Sequence, residues 1–156
     1  MMKKTRYLLW ITVVEVVGVL SGLLSRQGTV FYREMAEKPV LSPPALLFPV
    51  VWTILYALMG IGAARIYASA PDTDRSRALN IFVIQLVVNF FWSLIFFNAR
   101  SYGFALVWLL LLWGLIITMI ILFWRVDRLA AILQVPYLFW VTFAAYLNFG
   151  VWILNS

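Results

Sequence analysis

The stretch FALVWLLLLWGLIITMIILFW, residues 104–124, carries one hydroxyl, Thr118, and no charge. As a helix rising 1.5 Å per residue it reaches across roughly 30 Å of hydrocarbon. A soluble protein has no use for such a rod, so this stretch reads as a membrane span. Four more apolar runs flank it, at 7–25, 45–69, 79–97 and 131–154. The fold class that follows is all-α: an integral membrane bundle of five transmembrane helices forming one domain over 1–156.

Composition agrees. The chain is 65% hydrophobic and only 12% charged, against about a quarter charged in soluble domains. The net charge of +6 is spread over several loops, which suits topology and lipid contact rather than nucleic acid. There is no Cys and no His, so disulfides, thiolate chemistry and the commonest general base and metal ligand are absent. No metal site and no cofactor are expected. The start, Met-Met-Lys-Lys-Thr-Arg, resembles a signal-peptide n-region. The run behind it is too long for a usual h-region, carries Glu15 and lacks a clear cleavage site, so it reads as a retained helix.

Lys and Arg counts set the orientation. Lys3, Lys4, Arg6, Arg65, Arg75, Arg77, Arg125 and Arg128 fall on the amino-terminal side; Arg26, Arg33, Lys38 and Arg100 fall on the other. The positive-inside rule places the N-terminus in the cytoplasm and the C-terminus outside a plasma membrane.

Candidate functional residues come from what a bilayer penalises. Glu15 is the one acidic residue within a span, where a charge is costly and functional use is the default. A protonated, hydrogen-bonded Glu15 is the alternative. Gly18, Ser21, Gly22 and Ser25 form a small-residue stripe suited to close packing within the monomer, or to a dimer seam. The connection 26–44 is long enough to read as a lid, carrying Phe31, Tyr32 and Met35 among charges. Pro43 and Pro44 end it. Phe48, Trp52 and Tyr56 then follow at four-residue steps and share one helix face.

In the third span Gln85, Asn89 and Ser93 make a polar stripe beside Trp92. It either lines a ligand or bonds a neighbouring helix. The fourth span, without such residues, is expected to face lipid or a partner. In the fifth, Pro136, Trp140, Ala144, Asn148 and Trp152 are spaced by four. Ala144 leaves a gap between aromatics, which suits a flat ligand or a knob-and-hole contact.

These residues also resemble a known family. Lys38-Pro39, Ser42-Pro43-Pro44, Phe48-Pro49-Val-Val-Trp52-Thr and Leu55-Tyr56-x-x-Met59-Gly60 are similar to the second-helix region of the translocator protein family, the tryptophan-rich sensory proteins or peripheral benzodiazepine receptors. Asn89-x-x-Trp92-Ser93 resembles its third helix. Pro136-Tyr137-Leu-x-Trp140-x-x-Phe143-Ala144-x-x-Leu147-Asn148-x-x-Val151-Trp152 resembles its fifth. The resemblance implies a five-helix bundle, usually a homodimer. It implies a pocket, closed by the first loop, that binds tetrapyrroles such as protoporphyrin IX and, in some members, cholesterol and synthetic drugs. Its pocket residues fall on Pro43, Trp52, Asn89, Trp92, Trp140 and Ala144, with the first-loop tyrosine at Tyr32. Phe48 and Asn148 join this set from their helix faces. Sterol binding is disfavoured: Phe149 and Ile153 stand where sterol-binding members carry a tyrosine and an arginine.

The leading expectation is therefore a receptor or carrier for porphyrins or other flat hydrophobic small molecules. An alternative is oxygen- and light-dependent porphyrin degradation through Trp52 and Trp140, since no acid–base catalytic set is present. A lower alternative is proton-coupled export using Glu15.

Overall fold

The structure, a computed structural model, describes residues 2–44 and 46–156. Among them there is no strand. The helices are α1 (Met2–Leu24), α2 (Arg26–Met35), α3 (Leu47–Tyr67), α4 (Thr73–Ser93), α5 (Tyr102–Val126), α6 (Arg128–Ile132) and α7 (Val135–Leu154), with a π-helical turn at Leu94–Asn98 prolonging α4. Five segments are long and apolar enough to cross a membrane: Lys4–Leu24, Leu47–Tyr67, Thr73–Asn98, Tyr102–Val126 and Arg128–Leu154. The protein is an all-helical integral membrane bundle.

Several helices run past the apolar windows, because helix geometry does not stop where hydrocarbon does. Asp72 caps α4 by accepting from the Arg75 amide at 2.8 Å, so the helix starts six residues before 79. Asp127 caps α6 in the same way, accepting from the Ala130 amide at 3.2 Å. Ala45, where the second span was expected to begin, lies outside the described residues. Pro49 sits in the first turn of α3, where its missing N–H is harmless.

The long helices close a ring in the order α1, α3, α7, α5, α4; successive neighbours are antiparallel except where α4 meets α1, which it parallels, Trp10 lying against Phe82 and Ser21 against Phe90. Close approach of α1 and α3 depends on Gly60: a Cβ there would stand 2.5 Å from the Ile11 Cα. The expectation that the fourth span faces lipid or a partner is corrected for one of its two faces. Ala105, Leu109, Leu112, Ile116, Met119 and Phe123 of α5 are buried, the 3.6-residue stripe of a helix packed between α4 and α7. Its other face, with Val107, Leu110, Leu111 and Ile121, is exposed, as a surface that meets lipid or a partner would be.

The connection 26–44 is corrected too: over half of it is helix. α2 lies across the π turn, where a Cβ on Gly28 would meet the Phe97 carbonyl at 2.3 Å. Residues after α2 strap over the end of α7. Glu37 N–H donates to Asn155 Oδ1 at 3.0 Å, Asn155 Nδ2 donates to the Glu37 carbonyl at 2.8 Å, and the Tyr146 hydroxyl donates to the Val40 carbonyl.

Candidate functional site

A buried polar chain crosses the bundle below α2. Tyr56 Oη donates to Asn89 Oδ1 at 2.8 Å, Asn89 Nδ2 donates to Tyr137 Oη at 2.7 Å, and Tyr137 Oη donates to Gln85 Oε1 at 2.8 Å. It joins α3, α4 and α7. A second knot lies nearer α2: Trp92 Nε1 donates to Asn148 Oδ1 at 3.1 Å, and Asn148 Nδ2 donates to the Tyr102 carbonyl at 2.8 Å. Both amides are spent on interhelical bonds, as groups buried in hydrocarbon require.

Above the first chain, α1, α2, α3 and α4 part around a cavity of about 440 Å³. This lies within the size range of small-molecule sites. Phe48, Trp52, Tyr56, Trp92 and Phe97 give it aromatic walls. Trp52 stacks on Tyr56 with ring centres 5.4 Å apart, and Trp92 stacks on Phe96 at 5.1 Å, so these rings are braced from behind. Gly18 is required here, since its Cβ would lie 2.3 Å from the Tyr56 ring.

The polar part of the wall comes from α1 and α2. Glu15 and Ser21 face the cavity from α1, and Ser25 from the junction of α1 and α2. Ser21 Oγ donates to the Phe90 carbonyl at 2.9 Å, whereas the buried Ser25 Oγ has no hydrogen-bond partner among the described residues. Glu15 has no ion-pair partner among them either. Arg26, Thr29, Val30 and Arg33 form one face of α2 over the opening. The two arginines are two turns apart and exposed, and Glu15 lines the same cavity about three turns deeper along α1.

The structure brings three of the nine candidate residues, Phe48, Trp52 and Trp92, to this one wall. It places the other six outside it. Asn89 and Asn148 hold the knots described above. Ala144 is buried and Pro43 half-buried. Trp140 lines a separate apolar groove of about 570 Å³ between α3 and α7, with Val51, Ile54, Pro136 and Phe139. Phe48 is the contact between the two spaces, its ring 5.8 Å from Trp140. The even four-residue spacing in α7 concealed this: each step of four turns the helix by 40°, so Pro136 and Trp152 face nearly opposite ways. Residues Tyr137, Val141, Ala144, Asn148 and Val151 make the buried face instead.

Tyr32 is a wedge rather than a wall. It is 8% exposed and sits between Phe96 and Phe97, both with ring centres 5.5 Å away, under the Lys38 ammonium. Burial, then the nearby Tyr102, pushes its phenol up to about 12. Sequence reasoning gave Arg33, on the expected lid, to a ligand's carboxylates but missed that Arg26 shares its helix face. The signal was Arg26 and Arg33 seven residues apart, which only means a shared face once 26–35 is helical. The Gly18, Ser21, Gly22 and Ser25 stripe, read as packing, is cavity wall.

Comparison with known proteins gives an independent view. The TspO/MBR family model matches residues 10–153. Protein CrtK of Rhodobacter capsulatus is 37% identical over 150 residues, covering 93% of this chain and 94% of that protein. The tryptophan-rich protein TspO of Chlorobaculum tepidum is 38% identical, covering 89% of each chain. The translocator protein of Sus scrofa is 35% identical, covering 88% of this chain and 85% of its own.

Proposed function

Since the chain belongs to the TspO/MBR family of membrane sensory and receptor proteins, we propose that it is a receptor or carrier for tetrapyrroles of the protoporphyrin IX kind and similar flat apolar molecules. The observation that carries this reading is the composition of the 440 Å³ cavity: braced aromatic faces below, two arginines on the helix that covers it. A porphyrin is a broad aromatic plate with two carboxylates at one edge. The plate suits Trp52, Trp92 and Phe48; the carboxylates suit Arg26 and Arg33. Ser25 Oγ supplies one further donor within the wall. Either sensing or transport follows from such binding, and α2 with its strap to Asn155 is the segment that must yield for the guest to pass.

The reading includes a homodimer in a bacterial plasma membrane, N-terminus in the cytoplasm, supported by the excess of Lys and Arg on that side. Sterols are not proposed as ligands: Phe149 and Ile153 offer no hydroxyl or cation, and both face outward.

The test is titration of the purified chain with protoporphyrin IX, followed by its absorbance shift and by tryptophan quenching. Saturable binding is expected. Trp52→Phe weakens it, and so does the Arg26→Gln/Arg33→Gln pair. Exposed carboxylate–arginine contacts contribute about 0.5–1 kcal/mol each, so the double variant loses roughly five- to thirty-fold in affinity. That loss shrinks at high salt. Unsaturable uptake, equal in all variants, overturns the proposal.

A further inference from the structure

The opposite end of the bundle holds a second concavity, of different character. It measures about 270 Å³ and is lined by Arg6, Tyr7, Ala64, Arg65, Ala68, Ser69 and Asp127. Its residues come from the first turns of α1, the last turns of α3 and the cap of α6. We propose that it binds a singly charged phosphodiester, the chemistry of a phospholipid headgroup.

Four observations point there. Arg6 rests over the Tyr67 ring, 5.6 Å from its centre, and makes no hydrogen bond or ion pair among the described residues. Its guanidinium is thus held in place by a contact that leaves its N–H donors open. Arg65 is fixed as well: its Nη1 donates to Tyr7 Oη at 3.4 Å and its Nε lies 3.0 Å from Asp127 Oδ2. That ion pair engages the Nε edge, while Nη2 makes no hydrogen bond among the described residues. Two guanidinium groups therefore flank one hollow with donors to spare, which is the arrangement that recognises phosphate oxygens.

The charge balance favours an anion. Arg6 and Arg65 bring two positive charges and Asp127 one negative to the lining, and Arg75 adds a further cation on the Tyr67 ring that Arg6 also covers. A phosphodiester meets this excess of positive charge. The location selects the source. Immediately after Tyr7, Leu8 and Leu9 are 65% and 61% exposed on the outer side of α1. Acyl chains attached to a headgroup in the hollow would lie against them. The floor is small, Ala64 and Ala68, which is what keeps the space open.

The experiment uses the full chain in detergent. It is titrated with dioleoylphosphatidylglycerol and, separately, with the soluble headgroup glycerophosphoglycerol. Retained ligand is read by native mass spectrometry and the thermal midpoint is recorded. Saturable lipid retention is expected, weakened at least about fivefold by Arg6→Gln, which removes charge-assisted bonds. Ala68→Leu, which fills the hollow without touching a charge, should weaken it comparably. Protoporphyrin binding should be unchanged in both variants. Capture of the soluble headgroup with the same variant sensitivity also supports the phosphodiester site and shows that acyl chains are dispensable. Retention equal in wild type and both variants, or no saturable retention of either probe by the wild type, overturns the proposal. Arg65→Gln is avoided, since it strands Asp127 and can unfold the end of α3.

Discussion

Replacing Asn89 with leucine separates two roles that this position could serve, walling the guest or holding helices together. The side chain keeps the same branched heavy-atom skeleton, gains some bulk and loses its amide. Two hydrogen bonds go with it, from Tyr56 Oη at 2.8 Å and to Tyr137 Oη at 2.7 Å. Tyr137 keeps its bond to Gln85, whereas Tyr56 Oη is left with no protein acceptor among the described residues. Interhelical hydrogen bonds in membrane proteins are worth about 0.6–2 kcal/mol each, so the gross loss is about 1–4 kcal/mol. The site is only 4% exposed, and a buried leucine returns part of that, leaving a net cost of about 1–3 kcal/mol. The assay is reversible unfolding in mixed micelles, run as a cycle with Tyr56→Phe and the double variant. A coupling energy of about 0.6–2 kcal/mol is expected. Porphyrin affinity should change by less than about threefold, because Asn89 does not reach the cavity wall. Zero coupling refutes the reasoning. So does an affinity loss of tenfold or more at unchanged stability, which would mean that the amide acts on the guest directly.

Gly60→Ala should destabilise the fold by about 1–3 kcal/mol, since its Cβ would meet the Ile11 backbone, while Gly22→Ala, with nothing within 4 Å, should stay within about 0.5 kcal/mol; equal effects in the same unfolding assay would refute the close packing of α1 and α3. Tyr32 titrates near 10 when exposed and at about 12 in place, so docking of α2 is at full strength below pH 10 and is lost as pH rises through 12, because the unfolded phenol sheds its proton first. Hydrogen exchange or proteolysis of 26–44 should show that loss in the wild type and not in Tyr32→Phe.

Much of the architecture was legible in the chain. Five apolar runs gave five crossings, because in hydrocarbon every backbone group must be satisfied within its own helix. Ends were less legible: α4 extends through charged residues under the Asp72 cap, a turn that hydropathy cannot see. The connection 26–44 read as a loop because α2 is polar on one face and short, and its helix is stabilised by docking Gly28 and Tyr32 on the π turn.

For the site, residue types were legible and their company was not. The face of Phe48, Trp52 and Tyr56 follows from spacing alone, and all three line one cavity. Asn89 and Trp140 look equally suited to a ligand on paper. Whether an amide meets a guest or a tyrosine hydroxyl depends on which helix stands opposite, and local sequence holds no record of that. The same holds for Arg6, Arg65 and Asp127, which are far apart in the chain and gather around one hollow only when α1, α3 and α6 assemble.

The sequence by itself determined that the chain lives in a bilayer, how many times it crosses, and which rings and amides the bundle has to place, because those follow from solvation and helical period. Only the tertiary structure decided which of those groups enclose space and which lock helices together. That choice is made between neighbours, through contacts such as Tyr56 with Asn89 and Gly18 with Tyr56, and close packing lets each side chain have only one set of them.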